Sequence, residues 1–256
     1  MKVVILAGGT GSRISEESVV RPKPLIEIGG MPIIWHIMKI YSSYGFKDFI
    51  ICCGYKGYLI KEFFSNYFLH SSDLTIDLEN DKIIYHQKKK EPWKITLVDT
   101  GENTSTGGRI KKIKKFITEE NFCLTYGDGV SAVNIKKLVN FHIKSKKKAT
   151  LIAVKPQGRF GSLKLEGNKV EQFLEKPLGD GGWVNGGFFV LNKDIFNYIR
   201  SEKTIWEREP LERLSKKKQL ISYKFNGFWY AMDTLKDKNY LENLWSSGKA
   251  PWKIWR

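Results

Sequence analysis

The chain has 256 residues, 41% hydrophobic and 13% aromatic, a composition of folded globular proteins that excludes a disordered chain. No apolar run approaches the ~18 residues of a membrane-spanning helix, so no membrane partner is expected. The formal net charge is +16, held mostly in lysine runs such as 88–90, 111–115, 144–148 and 216–218. These runs lack interleaved aromatics and are poor in arginine, so they read as a solvated surface that draws in anionic nucleotides. They do not read as a nucleic-acid-binding face.

The first predicted element is a buried strand, Val3 to Ala7, short and rich in β-branched residues. Because the chain enters it almost at once, no signal peptide is expected. The strand ends in Gly8-Gly9-Thr10-Gly11-Ser12-Arg13, followed by Arg21-Pro22-Lys23-Pro24. Glycines let a backbone turn tightly and present its N–H groups to a ligand. A hydroxyl, Arg13 and Lys23 add donors and positive charge, which suits a triphosphate. The pattern is neither a P-loop, since no Gly-Lys-Ser/Thr closes it, nor the dinucleotide fingerprint, since Ile14 stands where the third glycine belongs. A strand-to-helix turn that merely needs glycine remains the plain alternative.

A helix follows from Met31-Pro32-Ile33, then a buried strand Phe49 to Cys53 and a helix Tyr58 to Phe68. Strand, helix, strand, helix argues for parallel α/β organisation. A hairpin is expected at Leu74–Leu78 and Ile83–Gln87, then a strand Ile95–Thr100, a polar loop 101–108 and a basic helix from Arg109. The strand Phe122–Tyr126 ends in Gly127-Asp128-Gly129. A helix Asn134–Lys146, a strand Leu151–Lys155 and a hairpin Ser162–Leu165 with Val170–Phe173 come next. Glu175-Lys176-Pro177 leads to the strand Gly187–Leu191. Asn192 caps a short helix, Pro210 opens another, and Leu220–Phe225 is a strand. An apolar run 227–232 ends at Asp233 before a closing helix, and the aromatic tail 251–255 is expected to pack on its own domain or a neighbouring subunit. No linker composition divides the chain.

The three cysteines, Cys52, Cys53 and Cys123, cannot pair evenly and read as reduced core residues of a cytoplasmic protein. The four histidines are scattered and carry no metal or base pattern. Asp128 follows a buried strand, where ligands of open α/β sheets lie, and Asp233 ends a second apolar run. Each could simply cap a helix. Together, in a chain with a phosphate loop, they favour a shared Mg²⁺, which takes a few carboxylates plus phosphate oxygens. Serine-nucleophile and zinc-hydrolase motifs are missing. The combination suits phosphoryl or nucleotidyl transfer.

LAGGTGSR, RPKPLIEIGGMPI, Tyr-Gly-Asp-Gly at the strand end and Glu175-Lys176-Pro177 resemble the sugar-1-phosphate nucleotidylyltransferases. The longer strings WHIMKIYSSYGFKDFIICCGYKGYLIKEFF, EPWKITLVDTGENTSTGGR, GRFGSL, NGGFFVL and KAPWKIW are similar to the branch that joins CTP to glucose 1-phosphate, and the likeness runs nearly end to end. The resemblance implies an α/β, Rossmann-like nucleotidyltransferase fold whose mixed, mostly parallel central sheet is flanked by helices, with hairpin insertions. It implies one domain over 1–256, with 1–155 as the nucleotide-binding part and 156–256 as the sugar-binding part with the closing helix. Leu6, Ala7, Gly8, Gly9, Thr10, Gly11, Ser12, Arg13, Lys23, Thr104, Arg109 and Gly127 would bind CTP. Asp128 and Asp233 would hold Mg²⁺, and Glu175, Lys176, Asn185 and Gly186 would lie on the sugar side. Arg13, Lys23, Asp128 and Asp233 would be catalytic. A homo-oligomer, specifically a hexamer, and a role in making deoxysugars of surface polysaccharide are also implied.

Two departures stand out. Val130-Ser131-Ala132-Val133-Asn134 lacks the further aspartate that the family usually carries after Tyr-Gly-Asp-Gly. Trp183 adjoins the presumed sugar pocket and bears on which sugar is taken. UTP or another sugar phosphate, and a non-catalytic nucleotide- or RNA-binding role for the basic surface, remain the competing readings.

Overall fold

The structure is a computed structural model and describes residues 1–11, 14–86, 91–156, 162–174 and 182–255. Ser12, Arg13, Gln87, Glu175 and Lys176, all named above, lie outside the described residues.

In chain order the elements are β1 (Val3–Ala7), α1 (Ser15–Ser18), β2 (Glu27–Ile28), β3 (Met31–Pro32), α2 (Ile33–Ser43), β4 (Asp48–Cys53), α3 (Gly57–Ser65), α4 (Tyr67–Ser71), β5 (Leu74–Asp77), β6 (Lys82–Tyr85) and β7 (Lys94–Asp99). They continue as α5 (Thr106–Lys112), β8 (Asn121–Tyr126), β9 (Gly129–Ser131), α6 (Ile135–Ser145), β10 (Ala149–Val154), β11 (Ser162–Glu166) and β12 (Lys169–Leu174). The chain closes with β13 (Val184–Asn192), α7 (Glu209–Lys216), β14 (Leu220–Phe225), β15 (Trp229–Ala231) and α8 (Leu235–Ser246).

The central sheet has 7 strands in the order β14-β10-β13-β8-β1-β4-β7. Only β13 runs antiparallel to its neighbours, β10 and β8; the other pairings are parallel. This is the mixed, mostly parallel sheet that the sequence implied. Alternation along β1 divides the core: Val3, Ile5 and Ala7 pack with α2 and α6 on one face, Val4 and Leu6 with Ile110, Trp206 and Leu214 on the other.

The expected hairpins are present as β5–β6 and β11–β12. Helix α5 starts at Thr106, three residues before the expected start at Arg109, because Gly107 and Gly108 belong to it. A side chain at either would meet the backbone of Thr204 or Glu202, so the glycines serve close packing here and do not break the helix. The helix expected over Tyr58–Phe68 is divided at Asn66. The aromatic tail packs on its own domain: Trp252 is fully buried against Phe228, Trp245 and His36. All three cysteines are buried and unpaired, with burial pushing Cys53 up to about 11 and Cys123 up to about 12. Among the described residues no helix is long and apolar enough to cross a membrane.

The element that most directly builds the site had no periodicity to predict it. Strands β9 and β15, each short, form an antiparallel ribbon beside the main sheet, with Gly129 opposite Ala231. Its last hydrogen bond runs from the Met232 N–H to the Asp128 carbonyl at 2.9 Å. The ribbon therefore brings Asp128, just before β9, beside Asp233, just after β15.

Candidate active site

A cavity of about 710 Å³ opens at the carboxyl ends of β1 and β8, where ligands of open α/β sheets bind. Its lining includes Leu6 to Gly11, Lys23, Thr104, Arg109, Gly127, Asp128 and Asn185, residues singled out from sequence. It also includes Thr106, inside the DTGENTSTGGR string, Tyr126, of the Tyr-Gly-Asp-Gly string, and Glu207, which had no assignment from sequence.

Lys23 sits in a short 3₁₀ turn, Lys23–Leu25, between prolines 22 and 24 that fix its approach. Its Nζ donates to Asp128 Oδ2 at 2.6 Å and to Asp233 Oδ1 at 2.8 Å. Burial alone would lower the lysine's pKa, but the two carboxylates, Asp128 foremost, outweigh it and hold the ammonium charged. Asp233 is fixed from behind by Asp237, whose carboxylate accepts the backbone N–H of Asp233 at 3.0 Å and of Thr234 at 2.8 Å. Thr234 and Asp237 together form the capping box of α8.

Two carboxylate oxygens from distant segments thus converge on one cationic centre. Among the described residues no third acidic, histidine or cysteine side chain joins them to make a metal cluster. That donor set fits Mg²⁺, a hard ion that is held by one or two carboxylates and completes its shell with phosphate oxygens and water.

Arg109 is buried and turned inward. Its guanidinium donates to the carbonyls of Gly8 (2.8 Å), Gly101 (2.7 Å), Glu102 (3.0 Å) and Cys53 (3.3 Å) and to Thr100 Oγ1 (2.7 Å). A Cβ at Gly8 or Gly54 would overlap it. The arginine ties the glycine-rich loop to the ends of β4 and β7 while still bordering the cavity.

On the other flank Asn185 Nδ2 donates to the Tyr126 hydroxyl at 3.3 Å, and that hydroxyl donates to Glu207 Oε1 at 2.7 Å. Gly186 lies behind Asn185, where its carbonyl accepts the Trp229 indole N–H at 2.6 Å. Trp183 stands apart from the described lining. Its ring lies under the ammonium groups of Lys155 and Lys224, 5.2 and 5.6 Å from its centre. The histidines play no part in the cavity's described lining. His36 and His142 are buried elsewhere in the fold, each pushed down to about 4 by burial.

The family model for nucleotidyl transferases matches residues 2–241. Over all 256 residues, covering 100% of both chains, the protein is 55% identical to the glucose-1-phosphate cytidylyltransferase of Salmonella typhi. It is 43% identical, again over 100% of both, to the probable glucose-1-phosphate cytidylyltransferase of Bacillus subtilis strain 168. Among solved structures, a putative glucose-1-phosphate thymidylyltransferase from Bacillus anthracis superposes with a TM-score of 0.69 at 20% identity, covering 95% of this chain and 94% of that one. This last likeness is one of fold. The chain belongs to the nucleotidyl transferase family and, within it, to the glucose-1-phosphate cytidylyltransferases.

Proposed function

We propose that this enzyme transfers CMP from CTP to α-D-glucose 1-phosphate, giving CDP-glucose and pyrophosphate. The observation that carries the reading is the convergence of Lys23, Asp128 and Asp233 beside a glycine-rich strand end that borders one cavity. The relatives' names supply the substrates, and the DTGENTSTGGR segment that holds Thr104 and Arg109 resembles the CTP-using branch, which favours CTP.

In this reading Leu6 to Arg13, Thr104 and Gly127 take the nucleotide, with Arg109 fixing the loop. The phosphate of the sugar 1-phosphate attacks the α-phosphorus of CTP in line, and pyrophosphate leaves. Its oxygen is already anionic near neutral pH, so no general base is needed, in keeping with a described lining that holds no histidine. Lys23 and Arg13 offset the repulsion between two polyanions and stabilise charge on the leaving group. Asp128 and Asp233 hold Mg²⁺, which when bound supplies further neutralisation of the phosphate oxygens. Glu175, Lys176, Asn185 and Gly186 are assigned to the sugar. The chain works as one domain, with 1–155 serving the nucleotide and 156–256 the sugar. Cytoplasmic location, a homohexamer and a product destined for deoxysugars of surface polysaccharide complete the proposal.

The test is pyrophosphate release with Mg²⁺ across a matrix of nucleoside triphosphates and hexose 1-phosphates. CTP with glucose 1-phosphate is expected to be fastest. A faster reaction with UTP would overturn the donor, a faster one with another hexose the acceptor, and silence throughout would overturn the enzyme reading.

A further inference from the structure

Among the described side chains lining the cavity, the carboxylates are Asp128 and Glu207. Asp128 is paired with Lys23, whose ammonium it shares with Asp233. Glu207 is held by hydroxyls instead: Tyr126 donates to Oε1 at 2.7 Å and Thr106 to Oε2 at 2.6 Å. The direction of each bond is fixed from behind. The Gly187 N–H donates to Asn185 Oδ1 at 2.9 Å, so the Asn185 amide nitrogen faces Tyr126 and donates to its oxygen. The Trp206 N–H donates to Thr106 Oγ1 at 2.9 Å. Both hydroxyl protons are therefore directed to Glu207, and burial, with the carboxylate beside it, pushes the Tyr126 phenol up so that it stays a donor.

Glu207 is exposed, so water hydrates its charge until a ligand covers it. A fixed negative charge in a cavity that takes phosphate-bearing substrates repels them, and neither of its donors neutralises it. A carboxylate has about four acceptor positions, and two are taken. The others are open to a ligand, and of the groups a phosphate-bearing substrate carries, its hydroxyl and amino donors can bond there without repulsion. The chain of bonds runs from Asn185 on β13 through Tyr126 and Glu207 to Thr106 at the start of α5. The backbone allows this because β13 is bulged at this point. Gly187 has a φ of 76°, and a Cβ there would overlap the Tyr126 ring.

We propose that Glu207 is a specificity-determining residue that accepts a hydrogen bond from a hydroxyl of the hexose, with Tyr126 and Thr106 as the positioning residues that aim it. The inference rests on the assignment of the Asn185 flank to the sugar. Phosphate is excluded by charge, and a hexose offers several hydroxyl donors that differ in position between stereoisomers. An accepting group rejects a ligand that lacks its partner hydroxyl more strongly than an apolar wall would.

The experiment compares wild type with Glu207→Gln, which keeps shape but removes the charge and one acceptor. Both are assayed with CTP against glucose 1-phosphate and its 2-, 3-, 4- and 6-deoxy analogues, alongside thermal melts. The expected wild-type result is a kcat/KM penalty of about tenfold or more for at least one deoxy analogue. In Glu207→Gln the KM for glucose 1-phosphate rises about tenfold, that penalty collapses, and both the KM for CTP and the melting temperature stay near wild type. A rise in the CTP KM, a changed CTP-to-UTP preference, or unchanged sugar kinetics would overturn the inference while leaving the proposed reaction standing. Wild type that turns over no substrate pair would remove the proposed reaction and this inference with it.

Discussion

Lys23 Nζ lies 2.6 Å from Asp128 Oδ2 across 105 positions of sequence, and the same ammonium reaches Asp233 at 2.8 Å. Neither residue stands in a motif with the other. The proline-flanked turn delivers the lysine, the carboxyl end of β8 delivers Asp128, and the β9–β15 ribbon delivers Asp233. Lys23→Ala, Asp128→Ala and Asp233→Ala are each expected to cut kcat by a factor on the order of 10² or more. Circular dichroism should show each still folded. Near-normal turnover in any of them would remove that residue from the proposed mechanism.

Asp237 tests how firmly Asp233 must be held. Its carboxylate accepts from the Asp233 and Thr234 N–H groups and from the Thr234 and Tyr230 hydroxyls. Asp237→Ala is expected to lose about 1–2 kcal/mol from the α8 cap and the buried donors left unpaired. Mg²⁺ titrations of activity should shift to higher concentration while the CTP KM changes less. An unchanged Mg²⁺ dependence would make Asp237 purely a helix cap.

Arg109 and Gly8 are expected to fail together. Replacing Arg109 by alanine leaves the carbonyls of Gly8, Gly101 and Glu102 without this donor, a loss of about 3 kcal/mol or more. Gly8→Ala pushes a methyl group into the guanidinium. Denaturant unfolding measures both, and a double variant less destabilised than the sum of the singles would show that the two act through one contact.

Acid sensitivity follows from His36. Its Nε2 lies 2.8 Å from the Ile28 carbonyl, which can only accept, and the Trp252 indole N–H donates to Nδ1 at 3.4 Å. The ring is therefore neutral, and burial lowers its pKa from 6.5 to about 4. Between those values the unfolded chain binds the proton that the folded one refuses, so stability rises with pH across this window and is lost as pH falls through it. His142, also lowered to about 4, adds in the same direction. His36 contributes on the order of 3 kcal/mol between pH 6.5 and 4. Unfolding midpoints of wild type and His36→Gln, followed from pH 7 to 4, should converge as the pH falls; parallel curves would contradict this assignment.

Much of the scaffold was legible because its signals are local. Apolar runs of strand length and helical periodicities located the strands of the main sheet and helices α2, α6 and α8. The run that holds β15 was legible as strand-like, but its pairing with β9 was not, since both strands are short and lie far apart in sequence. Arg109 was expected as a nucleotide contact; its chemistry as a donor was readable, but not that backbone carbonyls would absorb most of its N–H groups. Glu207 gave no sign because its meaning depends on Tyr126 and Thr106, which reach it only in the folded chain. Trp183 adjoins the sugar-side residues in sequence, yet its ring lies under two lysines, Lys155 just after β10 and Lys224 on β14.

The central claim is that a sugar phosphate oxygen attacks the α-phosphorus of CTP. It is tested by supplying glucose 1-phosphate with ¹⁸O in its non-bridging phosphate oxygens and following products by mass spectrometry with Mg²⁺ and CTP. All of the heavy oxygen is expected to remain in CDP-glucose, and the released pyrophosphate is expected to carry none. Heavy oxygen in pyrophosphate, or labelled glucose 1-phosphate recovered intact while CTP is consumed, would contradict it.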